Sequence, residues 1–210
     1  MAILDDIKEA VVDGETDEIQ DLVQQAIDEG LEPGKIINEG LIGGMNVVAP
    51  LFRDGEMFVP EVMESADTMK AGIEVVKPLL GEGGVETKGK IVIGTVDGDL
   101  HDIGKNLVVL MLESNGYEVE DLGIDVPVEK FAEAITTGGA QIVGLSAMLT
   151  TTMMQMDTTI KYLADQGLRD KVKIIVGGAP ITQQFADEIA ADGFSTDAAG
   201  AVALCDQLLA

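Results

Sequence analysis

From Lys90 onward the chain alternates short apolar runs with longer amphipathic segments, and no other feature of the sequence constrains its fold as much. Lys90 to Val96, Glu118 to Leu122, Gln141 to Ser146 and Val172 to Gly177 read as strands, with a weaker fifth run at Gly193 to Thr196. Helical patterns fill the gaps, starting near Ile103, Val128, Thr152, Thr182 and Ala198. Strands joined through helices lie parallel, so the pattern implies an α/β fold with a five-stranded parallel sheet wound on both faces.

The N-terminal part follows a different period. Ile3, Ile7, Ala10 and Val11 mark a first helix; Ile19, Leu22, Val23, Ala26 and Ile27 mark a second, with Thr16 as the expected cap and Gly30 as its stop. A third series runs from Ile36 and Ile37 through Leu41, Met45 and Val48 to Phe52, and a fourth starts at Val59-Pro60-Glu61 with proline at the first helical position. Four amphipathic helices with short connections make a small bundle. Gly81 to Gly89 has no periodicity and is rich in glycine and charge, which reads as a linker. The expected organisation is a helical domain over residues 1–85 and a sheet domain, similar to flavodoxin, over 90–210.

Charge and composition narrow the functional classes. With 38 acidic against 13 basic side chains the formal net charge is −25, which repels phosphate backbones and anionic membranes. Neither nucleic acid nor membrane is therefore expected as a partner; basic protein surfaces are. Cys205 is the single cysteine, so no internal disulfide can form, which suits a reducing compartment. No charged segment followed by an apolar run opens the chain, and no apolar run reaches about 18 residues. The expected location is the cytoplasm.

The stretch from Asp97 to Asn106 leads from the first strand into a helix and holds the only histidine, His101, between Asp99 and Asp102. Such turns sit at the carboxyl ends of the strands, where open α/β sheets bind ligands. An imidazole there could hold a metal through one nitrogen while Asp99 accepts the proton on the other. It could equally be an ordinary solvated loop histidine. Beyond it the chain offers only Cys205 as a further nitrogen or sulfur ligand, far away in an expected helix, so a metal at His101 needs its remaining ligands from outside the protein. Ser146 and Thr150 follow the third strand and Gly177-Gly178-Ala179 the fourth, which gathers them at the same sheet edge. Paired glycines there suit either a tight turn or a bulky flat ligand against bare backbone. No Gly-x-Gly-x-x-Gly follows a strand, and Gly104-Lys105 lacks the preceding glycine loop and following hydroxyl of a triphosphate site. A response-regulator reading, from Asp97 and Lys173, lacks the acidic pair and leaves His101 unexplained.

Asp99-x-His101-x-x-Gly104, Ser146-x-Met148 and Gly177-Gly178 together resemble the D-x-H-x-x-G, S-x-L and G-G signature of cobalamin-binding domains. With its helical segment the chain is similar to the corrinoid proteins of anaerobic methyltransferase systems and to the cobalamin-binding region of methionine synthase. Met148 departs from the usual leucine, an exchange of similar volume. The resemblance implies that cobalamin (methylcobalamin or a related corrinoid) binds with its nucleotide tail beside Ser146, Gly177 and Gly178, and that His101 ligates cobalt. Leu100, Asp102, Ile103, Gly104, Met148, Thr150 and Ala179 join Asp99 as cofactor contacts, and Phe58 and Met63 are the expected contacts from a helical cap over the corrin; core packing is the plainer role for Met63. The implied function is methyl carriage: cob(I)alamin takes a methyl group from a substrate on one methyltransferase, and methylcob(III)alamin gives it to a second, with a thiol or tetrahydrofolate acceptor. A reductive activator is a further implied partner. The carrier is a component of a methyltransferase system and not a complete enzyme, and its cap is expected to swing aside on the Gly81 to Gly89 run. Rival implications are a small subunit of an adenosylcobalamin mutase, which would not need the bundle, and a cobalamin-dependent sensor, which should carry an effector domain.

Overall fold

The computed structural model describes residues 2–80 and 87–210, and the chain divides into two compact units. One comprises Met1–Thr87 with Ser114–Gly116, the other Lys88–Glu113 with Tyr117–Ala210. Most of the expected linker, residues 81–86, lies outside the described residues.

The first unit is helical. Helix α1 (Ala2–Asp13) and α2 (Thr16–Asp28) bury the apolar stripes read from the sequence, with Ile7, Val11, Ile19 and Val23 fully covered; Leu22 and Ile27 at the edge of the α2 stripe are only half-buried. The third helical stretch is continuous but not uniform: α3 (Pro33–Lys35) runs through a π-helical turn (Ile36–Leu41) into α4 (Ile42–Arg53). A π turn repeats at five residues, and Ile36 and Leu41 are both buried at that spacing, so the wider turn keeps the apolar stripe facing inward. Helix α5 (Val59–Val76) starts one residue before Pro60, which therefore takes the second helical position, and the N–H of Phe58 donates to Glu61 Oε2 at 2.8 Å. Gly44 and Gly72 let neighbouring helices close up: a β-carbon there would come within 2.6 Å of Val11 and 2.5 Å of Leu41.

Thr16 does not cap α2. It is the first helical residue, Glu15 precedes it without a side-chain cap, and the Thr16 hydroxyl pairs instead with that of buried Thr68 on α5 at 2.7 Å. A hydroxyl able to satisfy another buried hydroxyl is worth more to the bundle than one spent on a solvated helix end.

The second unit is a five-stranded, wholly parallel sheet in the order β2-β1-β3-β4-β5. The strands are β1 (Lys90–Thr95), β2 (Glu118–Asp121), β3 (Ile142–Ser146), β4 (Lys173–Gly177) and β5 (Gly193–Ser195). The crossovers are α6 (Ile103–Ser114), α7 (Val128–Gly138), α8 (Met154–Asp165) and α9 (Gln183–Glu188), and α10 (Ala198–Leu209) follows β5. Side chains alternate across the pleat. Val92, Val143, Leu145, Ile174 and Val176 pack one face against Phe131 of α7, Met156 and Ile160 of α8 and Phe185 of α9. The opposite face carries Ile93, Gly144, Ser146, Ile175 and Gly177, and these line a cavity with α6 and α10. This incompletely filled face positions the site.

Candidate functional site: a histidine-mouthed cavity

The cavity has a volume of about 820 Å³ and opens at the carboxyl ends of the strands. Strand register explains its room. Gly144 lies between Ile93 and Ile175, and Ser146 between Thr95 and Gly177, so small residues occupy the centre of the sheet where large ones would fill the space. Leu107 and Val108 of α6 line it and are only half-buried although they face a sheet; Ala198 and Ala201 of α10 also line it and are buried. A β-carbon added at Gly104 would meet nothing within 4 Å. An apolar slot of this size is suited to a planar ring system.

At the mouth, β1 ends in the loop that carries His101. Asp99 is fully buried, and all four of its carboxylate contacts are donors. Oδ1 accepts the His101 backbone N–H at 3.0 Å and lies 2.7 Å from His101 Nδ1. Oδ2 accepts the Met148 N–H at 2.7 Å and the Thr152 hydroxyl at 2.5 Å. Burial alone would raise the Asp99 pKa, but the hydrogen bonds from Thr152, Met148 and His101 outweigh it and hold the carboxyl well below the usual carboxylate range. A permanently ionised acceptor selects the imidazole tautomer with hydrogen on Nδ1, which leaves the lone pair on Nε2. The imidazole itself is 53% exposed, whereas its backbone carbonyl is pinned by the Thr95 hydroxyl at 2.9 Å. The ring is thus held from behind and open in front.

Most residues expected at the site come together. Leu100, His101, Asp102, Ile103, Gly104, Ser146, Met148, Gly177, Gly178 and Ala179 all line the cavity, and Asp99 lies beneath it as the anchor of the histidine. Leu100 and Ile103 leave 67% and 86% of their surface uncovered, apolar area that a flat ligand would bury. Thr150 is exposed and is not among the lining residues. Phe58 and Met63 belong to the helical unit, where both are exposed, while Met69 is in its core. The paired glycines have different reasons to be there. At Gly178, with φ +127°, a β-carbon would fall 1.9 Å from the Ala147 carbonyl oxygen; at Gly177 it would meet only the Ser195 carbonyl oxygen, at 3.4 Å.

Three contributors escaped the sequence reading. Thr152 was expected only as a helix start, yet α8 begins at Met154 because the Thr152 side chain is committed to Asp99. Lys105 is buried in the first turn of α6 and donates to both Asp121 carboxylate oxygens, at 2.7 and 2.6 Å, and to Asn106 Oδ1 at 2.6 Å. Asp125, after β2, bonds the histidine loop. A buried carboxylate must find donors, so hydroxyls after neighbouring strands were the available signal.

A doubly wound sheet with a largely apolar cavity at its strand ends and a single anchored imidazole at the mouth defines a cofactor-binding domain. Among the described residues no group of three or more His, Cys, Asp or Glu side chains could hold a metal ion. B12 binding domain families match residues 89–203 and residues 3–77. A corrinoid protein of Desulfitobacterium hafniense is 45% identical over 212 residues, covering 100% of this chain and 98% of its own. The dimethylamine corrinoid protein of Methanosarcina barkeri is 46% identical, covering 99% and 98%. The crystal structure of the methanol:cobalamin methyltransferase complex of Methanosarcina barkeri superposes with a TM-score of 0.88 at 36% identity, over 99% of this chain and 80% of that one. The chain belongs to the B12-binding corrinoid proteins of anaerobic methyltransferase systems, and its cofactor is cobalamin. The residues present fit that cofactor: His101 Nε2 is not engaged by Asp99, and bare backbone and small side chains leave room in the cavity. No helix of the described residues is long and apolar enough to cross a membrane.

Proposed function

We propose that the protein carries methyl groups between two methyltransferases, and that His101 would hold the cobalt of its cofactor while the cavity beside Ser146 and Gly177 would take the nucleotide tail. On this reading residues 90–210 hold the cofactor and residues 1–85 act as a cap, with Phe58 and Met63 facing the corrin. The observation that carries it is the pairing of His101 Nδ1 with buried Asp99, which turns Nε2 into a ligand at the mouth of an apolar slot. Bound cobalamin supplies a reduced cobalt centre that can take up a methyl group and release it to a nucleophile. The protein's own part is to hold or release the imidazole. Asp99, ionised and 2.7 Å from Nδ1, would keep the ring oriented with Nε2 toward the cavity mouth whether or not that nitrogen is bound.

Relatives at 42–48% identity are named as dimethylamine corrinoid proteins, which supports a methylated amine as the donor and an amine-specific methyltransferase as the first partner. A second methyltransferase with a thiol or tetrahydrofolate acceptor and a reductive activator complete the proposed set, in the cytoplasm. The test is reconstitution. The purified protein loaded with hydroxocobalamin and chemically reduced should be methylated by dimethylamine only when an amine-specific methyltransferase is added, as read from the cofactor's absorbance. Methylation by methanol with its own methyltransferase, and none by any methylamine, would overturn the donor assignment. A protein that binds cobalamin but is never methylated would overturn the carrier role.

A further inference from the structure

We infer that Asp125, on the loop between β2 and α7, is a positioning residue that sets how firmly His101 would hold the cofactor's cobalt. The inference rests on the proposed ligand role of His101. Asp125 is one of two non-glycine residues with positive φ among the described residues, at 53°, and the backbone conformation is put to use. Its side-chain Oδ1 accepts the Gly98 N–H at 2.7 Å, and its own N–H donates to the Asp99 carbonyl oxygen at 3.0 Å. One residue thereby grips two consecutive residues of the histidine loop from the neighbouring strand's end.

The rest of the loop's support shows why this grip matters. The side chain of Asp99 is held by the β3 side of the site, through Met148 and Thr152. Its backbone is held by the β2 side, through Asp125, and by its own turn, where the Asp99 N–H donates to the Val96 carbonyl at 3.1 Å. Val126, the next residue, bridges Val96 and donates to the Thr95 carbonyl at 3.0 Å, so Asp125 is fixed to the sheet itself. Gly98 turns at φ +76°, a conformation with no stiffness of its own, and the Asp125 carboxylate supplies the stiffness. If the Gly98-Asp99 backbone shifts, the carboxylate that orients the imidazole shifts with it. Placement of a ligand within fractions of an ångström depends on such supporting contacts.

Asp125→Gly removes the acceptor while relieving the backbone, and Asp125→Asn keeps both an acceptor oxygen and tolerance of positive φ. In the cobalt(II) form of the loaded protein, with the imidazole labelled by nitrogen-15, magnetic resonance counts the histidine-ligated fraction at one fixed pH. Asp125→Gly should lower the ratio of ligated to unligated cobalt by about threefold to tenfold, the worth of one hydrogen bond, and Asp125→Asn should leave it within about twofold. In the cofactor-free protein the amides of Gly98 and His101 should exchange faster in Asp125→Gly alone. A ligated fraction unchanged in Asp125→Gly, whatever the change in melting temperature, overturns the inference and leaves the histidine assignment standing. Absence of nitrogen coupling in the unaltered protein overturns the assignment itself, and the inference with it.

Discussion

The hydroxyl of Thr152 donates to Oδ2 of Asp99 across 2.5 Å, joining residues 53 apart in the chain and ends of two different strands. The contact completes a line from Thr152 through Asp99 to His101 Nδ1, which leaves Nε2, across the ring, as the nitrogen open to a metal. An orphaned carboxylate at this depth would be protonated or expelled; the four donors are what keep it charged and the imidazole aligned.

Thr152→Val keeps the volume and removes the donor. Chemical denaturation of the cofactor-free protein at neutral pH should show a loss of about 1.5–3 kcal/mol. The Asp99 carboxyl has its pKa lowered by folding from 3.8, so its contribution is full above that pH and fades as the pH falls through the folded value. The gap between the variant and the unaltered protein should therefore narrow below about pH 4. A gap that widens in acid would contradict the ionised, hydrogen-bonded carboxylate.

His101→Ala should lose the nitrogen coupling of the cobalt(II) state yet retain cofactor, because the slot between the sheet and α6 is untouched. Asp99→Asn should keep the coupling but weaken ligation by about tenfold or more, since a charge-assisted hydrogen bond contributes roughly 1.5–3 kcal/mol. Equilibrium dialysis with hydroxocobalamin measures the first and magnetic resonance the second. Complete loss of cofactor from His101→Ala would show that the slot contributes little affinity.

Two glycines should respond in opposite ways. Gly178→Ala drives a methyl into the Ala147 carbonyl and should cost at least about 3 kcal/mol of folding stability. Gly104→Ala, in the first turn of α6 with open space around the added carbon, should leave the cofactor-free protein as stable or up to about 1 kcal/mol more so. Its cost should fall on cobalamin affinity. Unimpaired affinity would remove Gly104 from the contact surface.

Phe58 and Met63 are 67% and 50% exposed, so Phe58→Ser and Met63→Ser should change the melting free energy by no more than about 0.5 kcal/mol. If they shield the corrin, the reduced cofactor should oxidise faster in both variants when anaerobic samples are mixed with limiting oxygen. Equal oxidation rates would leave these side chains without a capping role.

Cys205 is fully buried in α10, and burial followed by the nearby Asp206 charge pushes its thiol up to about 12. A disulfide reagent at pH 8 should leave it unmodified until denaturant is added. Rapid labelling of the native protein would mean that α10 opens readily.

The helices and strands could be read from the chain because their causes are local. Ile7 and Val11 lie one helical turn apart, whereas Ile91 to Ile93 is an unbroken apolar run short enough for a strand buried on both faces, and the alternation of such runs with amphipathic segments gives the order of elements. The signature of Asp99, His101, Gly104, Ser146, Gly177 and Gly178 was legible by resemblance, and the parallel sheet brings those residues to one edge. Other features have no local cause. Whether Thr16 caps its own helix or pairs with Thr68 depends on a helix 52 residues away. Whether Thr150 or Thr152 reaches Asp99 depends on how the turn after β3 is wound, and the carboxylate's need for a donor decided it. Gly177 and Gly178 are adjacent letters with the same chemistry, yet an added β-carbon would only touch the Ser195 carbonyl oxygen at the first and would strike the Ala147 backbone at the second. By itself the sequence determined which elements form and which residues could serve the site. Tertiary structure alone decided which hydroxyl, which glycine and which aspartate serve it, because satisfying a buried charge is a property of neighbours in space.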